Sequence, residues 1–303
     1  MALMYLAKVN LTSAIFDVYE SKLNIMDVTK SIYDQFDNKT TYKVTANQKY
    51  IDEYGNRKRF NQVSTYQLVE IKKEENMIIT GKVVRTFLRP TEKIDEKGHL
   101  LSTYNEEKVG IYFYYDVKNE MIAFSERQSF GYNQFINAFT YMINQNREKY
   151  RFEIFLQKDN DLLQEKIRGF QAVHTVKATL IPPNSIDDDL RELQEVFGLR
   201  YMEECHDANA NKLKIEMSVD DPKSSLKMES KYMKDIYTAV SRGYGDLTTI
   251  GVGKDGKKRI IKSNTDAALT KIVDEKLLEP EYNKEAHGFI YSFLESVKKR
   301  SKI

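Results

Sequence analysis

Apolar residues alternate with polar ones along the first 128 residues, whereas beyond residue 128 strand-like and helix-like spacings take turns. In the first part, Leu3 to Leu11, Thr41 to Ile51, Thr65 to Lys72 and Met77 to Leu88 read as strands, and Leu23 to Phe36 as an amphipathic helix. The polar turn Lys73-Glu74-Glu75-Asn76 separates two of these strands, and the β-branched content of IITGKVVRTF supports their pairing. Pro90 is placed to stop the second of them. Residues 91–108, TEKIDEKGHLLSTYNEEK, lack either period and predict a mobile loop. IYFYYDV (111–117) and MIAFSER (121–127) then predict a hairpin about Asn119-Glu120.

The second part opens with the clearest helical period, Tyr132, Phe135, Ile136, Phe139, Met142 and Ile143, which predicts a helix over Tyr132 to Asn146. A strand from Tyr150 to Leu156, a helix from Asp159 to Gly169 and a strand from Val173 to Ile181 follow, in the order of a β-α-β unit. Ser185 is positioned to cap a helix whose first turn carries Asp187, Asp188 and Asp189, with Gly198 at its exit. Leu213, Ile215, Met217 and Val219 alternate as a half-buried strand, a helix spans roughly 223 to 241, and helices near 265–278 and 283–300 are split by Pro280. The predicted fold class is α+β. It comprises a β-rich domain over residues 1–128 and an α/β domain over 129–303, which carries a hairpin at 246–263 and C-terminal helices.

Composition narrows the class of protein. A chain of 303 residues with 41% hydrophobic and 30% charged side chains buries a core and is neither disordered nor fibrous. Cys205 is the lone cysteine, which excludes an intrachain disulfide framework and a multi-cysteine zinc site, and fits a cytoplasmic location. No apolar run reaches membrane-spanning length, so no membrane partner is expected, and the start of the chain lacks the pattern of a secretory signal. The formal net charge is +2, and each half of the chain is nearly balanced. Any attraction for a polyanion therefore has to come from a local patch.

That patch is GYGDLTTIGVGKDGKKRIIKSN, Gly243 to Asn264. Between Ser241 and Ser263, Arg242, Lys254, Lys257, Lys258, Arg259 and Lys262 outnumber Asp246 and Asp255, and Asp255-Gly256 suits a tight turn whose central residues need positive φ. Tyr244 between two glycines offers a ring for stacking on an unpaired base, or else a core residue at a helix exit. Arg242, Tyr244, Lys254, Lys257, Lys258, Arg259 and Lys262 form the nucleic-acid-binding set; a solvated edge hairpin protected by lysines is the competing reading. Gly251, Gly256 and Lys257 have the spacing of a phosphate-cradling loop, but Lys258 stands where a Ser or Thr is needed and a strand-like RIIK follows, so nucleotide binding by that motif is not expected. The basic run at Lys298 to Lys302 reads as a frayed, solubilising end.

Candidates for chemistry are fewer. Glu70-Ile71-Lys72 on a strand, with Asp52 upstream, has the carboxylate and lysine types that a metal-dependent nuclease needs around Mg²⁺, and the same letters suit an exposed strand with a cross-strand ion pair. EECHD, Glu203 to Asp207, groups metal-ligating types, yet no partner cluster follows at ligand spacing, and Cys205 beside His206 is poorly placed for a nucleophile and its base. No metal site and no cofactor is expected, except Mg²⁺ if the nuclease reading holds.

IYFYYDVKNEMIAFSERQSFGYNQF and GYGDLTTIGVGKDGKKRIIKSN resemble segments of uncharacterised bacterial proteins of similar length encoded near anti-phage defence genes. The resemblance covers the layout of residues 1–263 and brings no catalytic residues with it. It implies a cytoplasmic role in host–phage conflict. Three functions are then in play: a nonenzymatic component binding DNA, RNA or a protein partner, a metal-dependent nuclease built on Asp52, Glu70 and Lys72, or a structural subunit that binds another protein or its own copies.

Overall fold

The computed structural model describes residues 1–51, 57–94, 100–145, 149–184, 205–221 and 223–300, which form two antiparallel sheets in an α+β arrangement. In the first sheet β1 (Ala2–Leu11) is followed in space by β6 (Met121–Ser125), β5 (Leu100–Asp116), β4 (Ile78–Ile94), β3 (Arg57–Glu74) and β2 (Thr41–Ile51). On its other side β1 pairs first with β12 (Thr270–Val273) and then with β7 (Phe152–Leu156). The second sheet has the order β11 (Lys258–Lys262), β10 (Gly245–Gly253), β8 (Phe170–Leu180), β9 (Leu213–Ser218).

Around β1, β6 and β5 the first sheet is buried on both faces. Ile15 and Val18 of α1 (Ile15–Tyr19), Val28 and Ile32 of α2 (Ile25–Gln35), and Phe135 and Phe139 of α3 (Tyr132–Asn144) pack on Phe113, Tyr115 and Phe124. Asn24 caps α2 by accepting from the Met26 amide at 2.8 Å, and the Gln134 side chain accepts from the Gly131 amide at the start of α3. Phe124 and Phe135 stack at 4.0 Å, and truncating a ring so buried as Phe135 to alanine costs about 3–5 kcal/mol. The opposite face is covered by Tyr282, Ala286 and Ile290 of α7 (Glu279–Arg300) against Met4, Leu6, Tyr114 and Met121. The aromatic run of β5 is therefore a buried central strand, and its rings are not a platform for bases.

Among the described residues, the second sheet is covered on one face only. Leu163 and Ile167 of α4 (Asn160–Arg168) and Met233, Ile236 and Val240 of α5 (Lys231–Ser241) pack on Val173, Val176 and Leu247. Asp159 caps α4 by accepting from the Leu162 amide at 3.0 Å.

Four expectations change. Residues 91–94 and 100–108 are not a loop: β4 and β5 pair from Ile78↔Asp116 out to Ile94↔Leu100. Pro90 is tolerated because β3 pairs with β4 only as far as Ser64↔Phe87, so beyond Phe87 its missing N–H has an unpaired edge to face. The predicted helix 265–278 is instead a single turn, α6 (Ser263–Asp266), followed by β12, whose β-branched TKIV adds to β1. Pro280 then falls in the first turn of α7, where no helical N–H is lost. The segment β7–α4–β8 is not a β-α-β unit within one sheet, since β7 joins the first sheet and β8 the second. The helix expected over 223 to 241 is confined to Lys231–Ser241, and the one expected after Ser185 lies outside the described residues.

β7, β12 and α7 all come from beyond residue 128 and complete the first sheet. Among the described residues, no helix is long and apolar enough to cross a membrane.

Candidate nucleic-acid interface

β10 and β11 pair from Thr248↔Lys262 to Val252↔Lys258. The turn between them is wider than the two-residue form expected. Gly253 and Lys257 close it, the Gly253 amide donating to the Lys257 carbonyl at 2.9 Å and the Gly253 carbonyl accepting from Gly256 at 2.8 Å. Gly256 alone of the central residues has positive φ, at 75°. Leu247, Thr249, Gly251 and Gly253 turn inward, with Ile261 packed on the same core, so Thr248, Ile250, Val252, Lys258, Ile260 and Lys262 form the other face.

The charge of the hairpin separates into paired and unpaired members. Arg259 contacts Asp255 at 3.1 Å, and this guanidinium, more than any other group, holds the Asp255 carboxyl below the usual range. Lys254, Lys257, Lys258 and Lys262 are exposed, and among the described residues none has a carboxylate within ion-pair distance. Among the described strands β11 stands at the edge of its sheet, unpaired on its outer side. The open face continues across β10, β8 and β9 as Thr248, Thr175, Lys177, Lys214 and Glu216, with Lys177 and Glu216 paired at 2.8 Å. That face displays hydroxyls, aliphatic side chains, amines and the Glu216 carboxylate.

Two members of the predicted binding set sit elsewhere. Tyr244 is buried in the second core with the Lys8 Nζ 4.7 Å from its ring centroid, so it has no face to offer a base. Gly243 beside it has φ 78°, and a Cβ there would meet Gln157 Nε2 at 2.8 Å, which shows how tightly this helix exit is packed. Arg242 ends α5 and its carbonyl accepts from Gln157 Nε2 at 3.1 Å. The nine residues of β10 separate it from the turn lysines by roughly 30 Å. Gly251, Gly256 and Lys257 lead into β11 and not into a helix, so no phosphate-cradling loop exists there.

The nuclease candidates do not converge. Glu70 has φ 56° at a bulge in β3 and its carboxylate meets Lys82 Nζ at 2.7 Å, whereas Lys72 reaches Glu279 at 2.7 Å. Asp52 lies outside the described residues, as do Glu203 and Glu204 of EECHD. Cys205 is buried, and His206 turns to Glu20 at 2.8 Å with its ring against Phe16. Among the described residues, no three His, Cys, Asp or Glu side chains gather as a metal site would require.

Sequence reasoning missed the polar junction between the two sheets. Lys158 is fully buried, and its Nζ donates to the Leu156 carbonyl at 2.6 Å, the Gly245 carbonyl at 2.9 Å and Asp246 Oδ1 at 2.8 Å. Burial lowers its pKa, against the pull of Asp246. Asn10 donates to the Gly243 carbonyl at 3.0 Å, and Asn184 donates to Glu120 at 2.8 Å while accepting from the Leu11 amide. The available signal was the alternation of the strand FEIFL, which continues to put Lys158 on the buried side of Leu156.

A family model described as a domain of unknown function, DUF4747, matches residues 49–284. No curated protein matches the chain.

Proposed function

The chain belongs to the DUF4747 family, a domain of unknown function, and from that premise we propose that it is a nucleic-acid-binding component of a bacterial or phage conflict system that holds phosphates along β11 and its turn. One observation carries this: Lys254, Lys257, Lys258 and Lys262 stand exposed, without carboxylate partners among the described residues, on one unpaired strand edge and its turn. Cations so placed gain by releasing counterions condensed on a nucleic-acid backbone. Thr248 and Thr175 beside them supply hydroxyls of the kind that bond phosphate oxygens. The conflict setting rests on the resemblance carried by residues 111–135 and 243–264.

Edge lysines also keep strand edges from pairing with one another, a role that needs no ligand. Salt dependence separates the two roles. With four phosphate contacts, log K for a labelled DNA duplex falls against log salt with a slope of about −3 to −4, a loss on the order of 10²-fold between 50 and 200 mM. Fluorescence anisotropy on the wild type and on the variant with all four lysines changed to Glu measures this. Equal binding by a folded variant overturns the proposal, and co-purification of a protein in place of nucleic acid assigns the edge to a protein partner.

A further inference from the structure

A groove of about 410 Å³ opens on the helix-covered side of the second sheet, between α4, the first residues of β8, the 225–229 segment and α5. Its size is that of a small-molecule site. Phe170 and Val173 of β8 and Leu226 and Met228 of the segment supply apolar walls. The segment is held as a wall by two backbone-level bonds: the Val173 amide donates to Ser225 Oγ at 3.0 Å, and the Leu226 amide donates to the Val173 carbonyl at 2.8 Å.

The polar lining is selective. Gln164 and Gln171 present side-chain amides, each with a donor and an acceptor, as the edges of nucleobases do. Arg168, at the end of α4, is exposed at the rim and bonds Gln164 Oε1 at 3.2 Å, which leaves the rest of its guanidinium fork open and orients the Gln164 amide. Lys234 also stands at the rim, opposed by Glu229 at 3.6 Å, so the net positive charge facing an incoming anion falls to Arg168. Tyr237 forms part of the wall, and its buried hydroxyl has no hydrogen-bond partner among the described residues. Burial first, and Glu229 second, raise its pKa, so it remains a protonated donor.

We infer that this groove binds a single nucleotide, the base lying between the Phe170 and Met228 walls with its edge toward Gln164, Gln171 and the Tyr237 hydroxyl, and the phosphate on Arg168. Continuity with the basic turn supports that class of ligand over another small anion: Phe170 pairs with Gly253, the residue before Lys254, so the groove and the turn lie at the same end of β8 and β10. The inference shares a ligand class with the hairpin proposal and uses none of its residues.

Isothermal titration calorimetry with adenosine and cytidine 5′-monophosphates, with adenosine and with inorganic phosphate tests it. At least one monophosphate is expected to bind about tenfold more tightly than adenosine or phosphate alone, because a nucleotide engages walls and guanidinium together. Tyr237→Phe is expected to weaken that nucleotide about tenfold while raising the melting temperature of the free protein, since it deletes a buried hydroxyl with no partner among the described residues. Arg168→Met, at an exposed position, is expected to bring nucleotide and nucleoside to equal affinity. Monophosphates that bind no better than phosphate, or a folded Tyr237→Phe that keeps full affinity, overturn the inference. Duplex binding without mononucleotide binding overturns it and leaves the hairpin proposal standing; mononucleotide binding without duplex binding does the reverse.

Discussion

Lys158 of the segment after β7 and Asp246 at the start of β10 meet at 2.8 Å across the junction of the two sheets, the lysine fully buried and the carboxylate side chain 36% exposed. The pair is asymmetric: removing the carboxylate strands a cation in a dry site, whereas removing the lysine leaves a carboxylate that water still reaches. Asp246→Ala is therefore expected to cost about 3–5 kcal/mol and Lys158→Met about 1–3, measured by urea unfolding. A larger loss in Lys158→Met than in Asp246→Ala would show that the two carbonyl bonds, and not the ion pair, hold the junction.

The same lysine gives a pH dependence of definite sign. Its folded pKa is lowered from 10.5, so between the folded value and 10.5 the unfolded chain binds the extra proton. Stability conferred through Lys158 thus rises with pH across that window and is smallest below it. The stability of the wild type minus that of Lys158→Met, followed from neutral pH to about 10, isolates the effect from the exposed ion pairs. A difference that shrinks with rising pH refutes the lowered pKa.

Gly243 and Gly256 have nearly the same φ, 78° and 75°, in opposite surroundings. Alanine at Gly256 finds no atom within 4 Å of its Cβ and bears the backbone penalty alone, about 1–2 kcal/mol. Alanine at Gly243 adds contacts of 2.8 Å to Gln157 and 3.0 Å to Lys8, for about 2–4 kcal/mol in total. Thermal unfolding of the two variants side by side makes the comparison.

Glu70 adopts φ 56° at the β3 bulge and is paired, partly exposed, with Lys82. Glu70→Gly relieves the left-handed strain and loses a surface ion pair, so its stability should lie within about 1 kcal/mol of wild type. Glu70→Val keeps the strain, aggravated by a branched Cβ, and should lose about 1–3 kcal/mol. Chemical denaturation of both variants decides whether the bulge geometry or the ion pair matters at this position.

Each of Lys254, Lys257, Lys258 and Lys262 changed singly to Ala should reduce the salt slope of duplex binding by about one and leave the melting temperature unchanged, because all four side chains are exposed. Arg242→Ala should leave the slope as it is, since that residue stands at the far end of β10.

How much of this was legible in the chain depended on the range of the forces involved. The period of Phe135 and Phe139 and the alternation of Leu213, Ile215 and Met217 along β9 are local, and each reads directly from neighbouring residues. The partner of β12 is β1, from the other end of the chain, and four residues of TKIV carry no mark of it, so a helix was the natural reading. The ribbon formed by β4 and β5 misled because charge and Pro90 read as loop, although an edge tolerates both. At the candidate interface the lysines of β11 were legible by composition, whereas the burial of Tyr244 depended on Lys8, and the groove depended on the 225–229 segment folding back on Val173.

The position of β1 sets the order in which this protein acquires its structure. Its two neighbours on one side, β7 and β12, are made long after it, and Ala2↔Val273 cannot form until β12 has been made. Until then one flank of a strand buried along most of its length is unsatisfied, and contacts this distant in sequence close slowly. A nascent chain carrying everything up to β6 would expose an adhesive edge to other copies, so yield in the cell should depend on chaperone capacity and growth temperature more than on the stability of the finished fold.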